Sequence, residues 1–303
     1  MIFKVRKLVV GSVLGAALTL GATSSALADA PQFSINPSVL PTLLPFAQFD
    51  ANQISGSSSE LLTTVGNTHT GTGWLTFGSF SIGGASIDAA TTGLGSAGGY
   101  RLYVTFTIAD QYRAGTGLPG QQFINGAGTI NDLTQLDFQF WADPTRNTTF
   151  QNANALTNTN ATVTGTTSDD IMLGVGNLLV GVSGFNQLGG ATLNATQNFA
   201  ICTGVGTATQ GGAPVSGALA TLAAGCNSGI GDGFFALPNP FYSLGFAAFN
   251  NTSQGVLLNG NKVSINNAAG TVDFNGTVPE PGSLALLGLG LVGLAVAGKR
   301  RQA

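Results

Sequence analysis

Few side chains in this 303-residue sequence are suited to catalysis. His69 is the only histidine, and its surroundings, Thr68-His69-Thr70-Gly71, do not resemble the turn that presents a catalytic serine. A Ser-His-Asp triad therefore lacks a recognisable nucleophile, and we expect His69 to be a polar turn residue. One histidine and two cysteines are too few for a zinc site of the His/Cys type. We predict no catalytic residue, no metal and no cofactor.

Carboxylates are the remaining candidates for chemistry. Asp169 and Asp170 are adjacent, and Asp137 and Asp143 flank an aromatic stretch that contains Trp141. Such oxygens can ligate Ca²⁺ or serve as the paired carboxylates of a glycosidase. An extracellular polysaccharide hydrolase that uses Asp169 or Asp170 is thus one alternative, although solvated loop acids are the simpler interpretation.

The two tryptophans, Trp74 and Trp141, are candidates for sugar binding. An indole that faces outward from a strand can stack on a sugar ring, whereas one that faces inward packs in the core. A carbohydrate-binding module with Trp74 and Trp141 as stacking residues is therefore a second alternative.

Short β-strands must position these residues. Residues 100–108 alternate between apolar and polar side chains, which predicts a strand with one buried face. Shorter signals of the same kind occur at 74–82, 133–141, 178–182, 244–249, 254–258, 262–265 and 271–274. Forty-five glycines argue against long helices. We predict a mostly β, antiparallel β-sandwich-like domain; a solenoid is the alternative, but no sequence period supports it.

The polar composition of the middle of the chain limits its partners. Residues 29–278 contain four basic and twelve acidic side chains, a net charge of −8, which argues against nucleic acid as a partner. Residues 146–168 are rich in Asn and Thr and are predicted to form exposed loops or an edge region. Such amides could hydrogen-bond to sugar hydroxyls or associate with one another.

The N-terminus has the organisation of a signal peptide. Lys4, Arg6 and Lys7 precede an uncharged, mostly apolar stretch at 8–20, and the small residues Ala26 and Ala28 follow. We predict cleavage after Ala28; a permanent N-terminal anchor is the alternative. Export to an oxidising compartment predicts a disulfide between Cys202 and Cys226.

The C-terminus combines three ordered features. Pro279, Glu280 and Pro281 precede the uncharged residues 282–298, and Lys299, Arg300 and Arg301 follow. As a helix, those seventeen residues would be roughly 25 Å long, the lower limit for a membrane span. The trailing cations predict that the far end stays in the cytoplasm, so that the body lies outside.

This order of features resembles the PEP-CTERM sorting signal, with Pro279, Glu280 and Pro281 on the tripeptide that names it. The resemblance implies recognition by an exosortase, removal of the tail and placement at the cell surface or in the extracellular matrix. A plain C-terminal membrane anchor is the alternative. The predicted divisions are a signal peptide at 1–28, an exported domain at 29–277 and a sorting signal with a short transmembrane helix at 278–303.

Two stretches of the body are similar to flocculation-associated PEP-CTERM proteins. One begins with a hydrophobic–Asn-Pro opening at 35–37 and continues with a Phe-x-Ala-x-x-Ile-x-Gly-x-x-x-Glu pattern at 49–60. The other covers residues 137–144 and 148–150. The resemblance implies a non-enzymatic protein that promotes cell aggregation in an exopolysaccharide matrix. Its expected partners are signal peptidase, the exosortase, the inner membrane during transit and exopolysaccharide.

Overall fold

A computed structural model describes residues 30–165 and 167–275. The predicted signal helix, its cleavage site at Ala26 and Ala28, the Pro279-Glu280-Pro281 tripeptide, the predicted transmembrane helix and its basic end at Lys299, Arg300 and Arg301 lie outside these residues. Within the described part of the chain, no helix has the length and apolar character needed to cross a membrane.

Strands dominate the described residues. In chain order they are β1 (Phe33–Ile35), β2 (Phe49–Ala51), β3 (Gln53–Val65), β4 (Thr68–Ile82), β5 (Ala85–Ser86), β6 (Arg101–Tyr112), β7 (Ile130–Asp143), β8 (Thr149–Gln151), β9 (Thr162–Thr164), β10 (Ile171–Phe185), β11 (Ala191–Gly204), β12 (Thr207–Gln210), β13 (Ala213–Pro214), β14 (Phe235–Leu237), β15 (Leu244–Asn250), β16 (Val256–Asn259) and β17 (Lys262–Asn275). The helices are α1 (Ala89–Thr92), α2 (Gly217–Ala223) and α3 (Ile230–Phe234), with short 3-10 turns at Pro37–Val39, Thr167–Asp169 and Ser253–Gly255.

Eight strands form one closed antiparallel, barrel-like sheet. The order around the sheet is β3, β4, β6, β7, β10, β11, β15 and β17, and β17 then pairs with β3. The prediction of a mostly β, antiparallel domain is confirmed, but the prediction of a β-sandwich is wrong. Because β10 pairs with both β7 and β11, closure leaves none of the eight strands with an unpaired edge.

Inner glycines make room for aromatic rings inside the sheet. A Cβ at Gly73 would lie 2.5 Å from the ring of Phe106, and one at Gly176 would lie 2.2 Å from the ring of Phe138. The rings therefore pack flat against the backbone of the neighbouring strands. Part of the high glycine content thus belongs to the wall of the sheet and not to turns.

A cluster of phenylalanines fills the end of the sheet at which β17 finishes. The ring centroids of Phe199 and Phe274 are 4.8 Å apart, those of Phe235 and Phe241 are 4.7 Å apart, and Phe33 lies 5.3 Å from Phe274. Phe33 belongs to β1, which pairs with β2 and β14 in a separate three-stranded sheet. Since β1 and the end of β17 meet here, the two ends of the described chain lie close together.

The Asn- and Thr-rich segment 146–168 is less exposed than predicted. Ala153 and Ala155 are buried against Leu61 on the outer face of β3. The backbone N–H of Ala153 donates to Ser59 Oγ at 2.9 Å, and that of Ala155 donates to Ser264 Oγ at 3.1 Å. About half of its described residues, such as Leu156, are exposed, whereas the serine hydroxyls of β3 and β17 hold Ala153 and Ala155 against the sheet.

The predicted disulfide between Cys202 and Cys226 is present, with the two Cα atoms 5.7 Å apart. It joins the end of β11 to the chain after α2. Together with Leu219 and Ala223 of α2, both cysteines pack against Met172 and Val175 on the outer face of β10. The disulfide therefore fastens α2 to the wall of the closed sheet.

Replacing both cysteines with serine is expected to lower the free energy of unfolding by about 3 kcal/mol, because the unfolded chain regains the freedom of a loop closed over 24 residues. Urea unfolding of the mature protein measures the change. Reduction of the wild type should produce a similar loss, and the double variant should not respond to reductant. An unchanged unfolding midpoint would contradict this account.

Candidate functional site

The outer face of β4, β6 and β7 carries a row of aromatic rings. The alternation predicted for residues 100–108 is found in β6: Leu102 and Val104 are buried in the main core, whereas Tyr103 lies on the outer face. Tyr103 stacks on Trp141 of β7, with ring centroids 6.2 Å apart and ring planes 8° apart. Phe150 of β8 lies 5.2 Å from Tyr103 and 5.3 Å from Trp74 of β4.

The two tryptophans occupy different environments in this row. Trp74 is only 7% exposed because Phe150 covers it, and its indole N–H donates to the backbone oxygen of Gln151 at 2.9 Å. The prediction that Trp74 stacks on a sugar ring is therefore wrong, because Phe150 occupies the face of the indole. Trp141 is half-buried and packs against the residues that α2 covers. The half-buried ring beside open space is that of Phe150, which the sequence did not single out for this role.

A groove of about 510 Å³ lies beside Phe150. We call it the aromatic groove; its side chains include Trp74, Thr76, Arg101, Arg146, Thr149 and Phe150. The guanidinium carbon of Arg101 lies 5.5 Å from the centre of the Phe150 ring, within the range of a cation–π contact. Arg101 and Arg146 are two of the four cations in residues 29–278, so half of the positive charge of the body lines one groove.

Asp143 positions one wall of the aromatic groove. This fully buried carboxylate accepts hydrogen bonds from the backbone N–H groups of Arg146 at 2.6 Å, Asn147 at 3.3 Å and Thr148 at 3.1 Å. Arg101 approaches the same carboxylate at 3.9 Å. Asp143 therefore holds the chain after β7 in a tight turn in which Arg146 adopts a left-handed backbone conformation, with φ of 60°.

Arg146 lines the groove with a guanidinium that is held in place. Its Nη1 donates to the backbone oxygen of Ser96 at 2.6 Å, which fixes the guanidinium. Its Nε is buried and has no hydrogen-bond partner among the described residues, which is energetically costly. Since this nitrogen is not accessible from the groove, a ligand there would bond to the other guanidinium nitrogens.

The adjacent acids Asp169 and Asp170 do not form a pair of equivalent carboxylates. Asp170 is buried and accepts hydrogen bonds from the Tyr103 hydroxyl at 2.6 Å and from Thr148 Oγ1 at 2.9 Å. Burial raises the pKa of Asp170, whereas a hydrogen bond from Thr145 lowers the pKa of Asp169 on the surface. Asp170 thus fastens the groove wall to β6 from beneath.

Asp137, the last of the four candidate acids, does not contribute to a metal site. Asp137 lies on the outer face of β7, where its carboxylate accepts a hydrogen bond from Gln135 Nε2 at 2.6 Å. No group of three or more histidine, cysteine, aspartate or glutamate side chains in residues 30–165 and 167–275 is placed to hold a metal ion.

His69 is not the polar turn residue that the sequence predicted. It is 1% exposed and points into the closed sheet, where Nδ1 lies 2.6 Å from Asp110 Oδ1 and Nε2 lies 2.8 Å from Asn125 Oδ1. Ser183 donates to Asp110 and not to the imidazole. This order of contacts differs from that of a catalytic triad, in which the serine bonds to the histidine. His69 lies two residues before Gly71 and four before Gly73 in β4. Because every second residue of a strand faces the same side, His69 shares the inward face of β4 with these two glycines.

Comparison with known proteins identifies one segment of the chain. Residues 277–301 match the family model of the PEP-CTERM protein-sorting motif. No curated protein and no solved structure matches the chain. The predicted sorting signal is thereby confirmed, and it indicates an exported protein that an exosortase processes. Its association with flocculation stays a prediction.

Proposed function

We propose that this exported exosortase substrate is a non-catalytic protein of the cell surface or matrix that promotes cell aggregation by binding exopolysaccharide in the aromatic groove. The observation that carries the proposal is the pair of guanidinium groups, those of Arg101 and Arg146, that line the groove together with the half-buried Phe150 ring. A ring face with neighbouring hydrogen-bond donors is the combination that pyranose recognition requires, because a sugar presents apolar C–H faces and a rim of hydroxyls.

The electrostatics of the aromatic groove support a polar, weakly charged ligand. Arg101 and Arg146 supply donors, and Thr76 and Thr149 supply hydroxyls that can donate or accept. The buried Asp143 partly offsets the two guanidinium charges. Sugar hydroxyls and isolated carboxylates both suit such a surface. A densely charged polyanion would be repelled, because residues 29–278 carry a net charge of −8.

The position of the sorting motif is compatible with this role. The motif begins at residue 277, two residues after Asn275 at the end of β17. Export therefore attaches the protein through the end of the closed sheet that the phenylalanine cluster fills. The aromatic groove lies on the outer faces of β4 and β6, and Arg101, the first residue of β6, lies toward this same end of the sheet.

The variant Arg146→Gln tests the proposal. We expect it to weaken retention of the mature protein on purified exopolysaccharide by a factor of about 10 to 150, because a hydrogen bond to a charged group contributes about 1.5–3 kcal/mol. A deletion strain should grow normally and settle poorly, and complementation with Arg146→Gln should restore settling less than the wild-type gene does.

Arg113→Gln is the matched control. It removes the same charge from an exposed pair with Asp132, at the opposite end of β6 from Arg101, and should behave as the wild type. Equal retention of both variants, or unchanged settling of the deletion strain, would contradict the proposal. Retention without any effect on settling would indicate a carbohydrate-binding module, and turnover of the polysaccharide would indicate a hydrolase.

A further inference from the structure

The interior of the closed sheet contains a cavity of about 100 Å³ that the proposed role in aggregation does not use. Its wall is mostly apolar and includes Leu62, Val104, Phe138, Ala247 and Phe249. Phe106 also lines the cavity, and the side chains of Phe106 and Phe138 are only partly buried although they face the interior of the sheet. The side chains of the closed sheet therefore leave part of its interior empty.

Polar groups at one end of the cavity form a connected network. Asp110 accepts a hydrogen bond from Ser183 and contacts His69 Nδ1 at 2.6 Å. Asn131 Nδ2 lies 3.2 Å from the same imidazole nitrogen, and Asn125 contacts the other nitrogen. The network holds these side chains in place, so the polar end of the cavity is preorganised for a ligand.

Several polar atoms that face the cavity lack partners. Asn131 is 2% exposed, and its Oδ1 has no hydrogen-bond partner among the described residues. Gln197 is 3% exposed and lines the cavity, and its side-chain amide makes no hydrogen bond with the described part of the chain. Glu60 has a single weak side-chain contact, from Ser58 Oγ at 3.3 Å.

Such a set is unusual for a core that serves only stability. Each buried polar group without a partner costs about 1–3 kcal/mol, and replacement by an apolar side chain would remove that cost. Glu60, Asn131 and Gln197, none of which uses its full hydrogen-bonding capacity, lie on β3, β7 and β11 around one space. Burial also raises the pKa of Glu60 to about 7, so much of this carboxyl is uncharged near neutral pH and able to donate a hydrogen bond.

We propose that this cavity binds a small uncharged molecule with an apolar body and one hydroxyl group. The cavity volume admits a molecule of about four non-hydrogen atoms, since a dry cavity of roughly 150 Å³ holds the six carbon atoms of benzene. The apolar wall takes the body of the molecule, and the amide of Gln197 or Asn131 bonds to its hydroxyl. Alcohols of about three carbon atoms, such as 2-propanol, belong to this class.

Titration of the mature protein with 2-propanol and with isobutane, in which a methyl group replaces the hydroxyl, tests the proposal by shifts of backbone amide signals in NMR. 2-Propanol is expected to bind, and to bind about five- to tenfold more tightly than isobutane, because one buried hydrogen bond contributes about 1 kcal/mol. Gln197→Leu should remove this preference. Since the Gln197 amide makes no hydrogen bond, leucine at this position should leave the fold intact.

A matched pair of variants locates the site. Ala247→Leu fills the cavity from β15 and should abolish binding of both probes, whereas Ala248→Leu places the same side chain on the outer face of the same strand and should not. Binding that survives Ala247→Leu, or no binding of either probe at concentrations that leave the protein folded, would overturn the proposal. So would a crystal soaked in 2-propanol in which the cavity holds only ordered water.

Discussion

Replacing Phe199 with alanine is expected to lower the free energy of unfolding by about 3–5 kcal/mol. Phe199 is 0% exposed, and its ring contacts those of Phe138, Phe140, Phe235, Phe241 and Phe274. Its removal leaves a cavity at the centre of the phenylalanine cluster, and the five neighbouring rings, held on four separate segments, cannot all move to fill it. Urea unfolding of the mature protein, followed by near-UV circular dichroism, measures the change.

The control for this prediction is Phe246→Ala. Phe246 lies on the outer face of β15 and is 40% exposed, so its truncation should cost well under half as much. Comparable losses for both variants would show that the phenylalanine cluster is not the main source of stability. A Phe199→Ala protein that loses no more than about 1 kcal/mol would show that the cluster closes over the cavity.

Replacing Pro279, Glu280 and Pro281 with alanine is expected to abolish tail processing. The tripeptide lies in the sorting motif at 277–301, and we expect an exosortase to read it, so the altered protein should keep its C-terminal residues and remain in the membrane fraction. Mass spectrometry of protein from cells gives both termini directly. A strain without the exosortase should give the same result with the unaltered protein.

Pro214→Ala is the control for the tail variant. It removes an exposed proline of β13 and should leave export and processing unchanged. Recovery of a shortened C-terminus from the triple alanine variant would contradict the role given to the tripeptide. An intact C-terminus on the wild-type protein in cells that contain the exosortase would contradict processing itself.

Some strands were visible in the sequence and others were not. The alternation at 100–108 became the centre of β6, because every second residue there is a large apolar side chain that faces the core. In β3 the inward positions include Ser58 and Glu60, which face the cavity and not close-packed side chains. The apolar period is therefore weak in β3. The side chain of Gln197 in β11 also faces the cavity, and for the same reason the sequence predicted no strand at the position of β11.

Closure of the sheet depended on contacts that no local pattern encodes. β3 and β17 pair over ten positions, from Lys262 with Thr63 to Val272 with Ile54, although about 200 residues separate them in the chain. Five irregularities in the pairing, for example between Asn266 and Ala268, bend the strands enough for the ends of the sheet to meet. Short alternating segments are equally compatible with a β-sandwich and with a closed sheet, so the sequence could not distinguish the two architectures.

The sequence alone determined the sorting motif, the β class and the disulfide. An exosortase recognises a linear string at the chain end, alternation is a property of neighbouring residues, and two cysteines in an exported chain have only each other. The tertiary structure alone decided the burial of His69, the covering of Trp74 by Phe150 and the meeting of Arg101 with Arg146. Each of these depends on segments distant in sequence coming together, which requires the whole closed sheet to form.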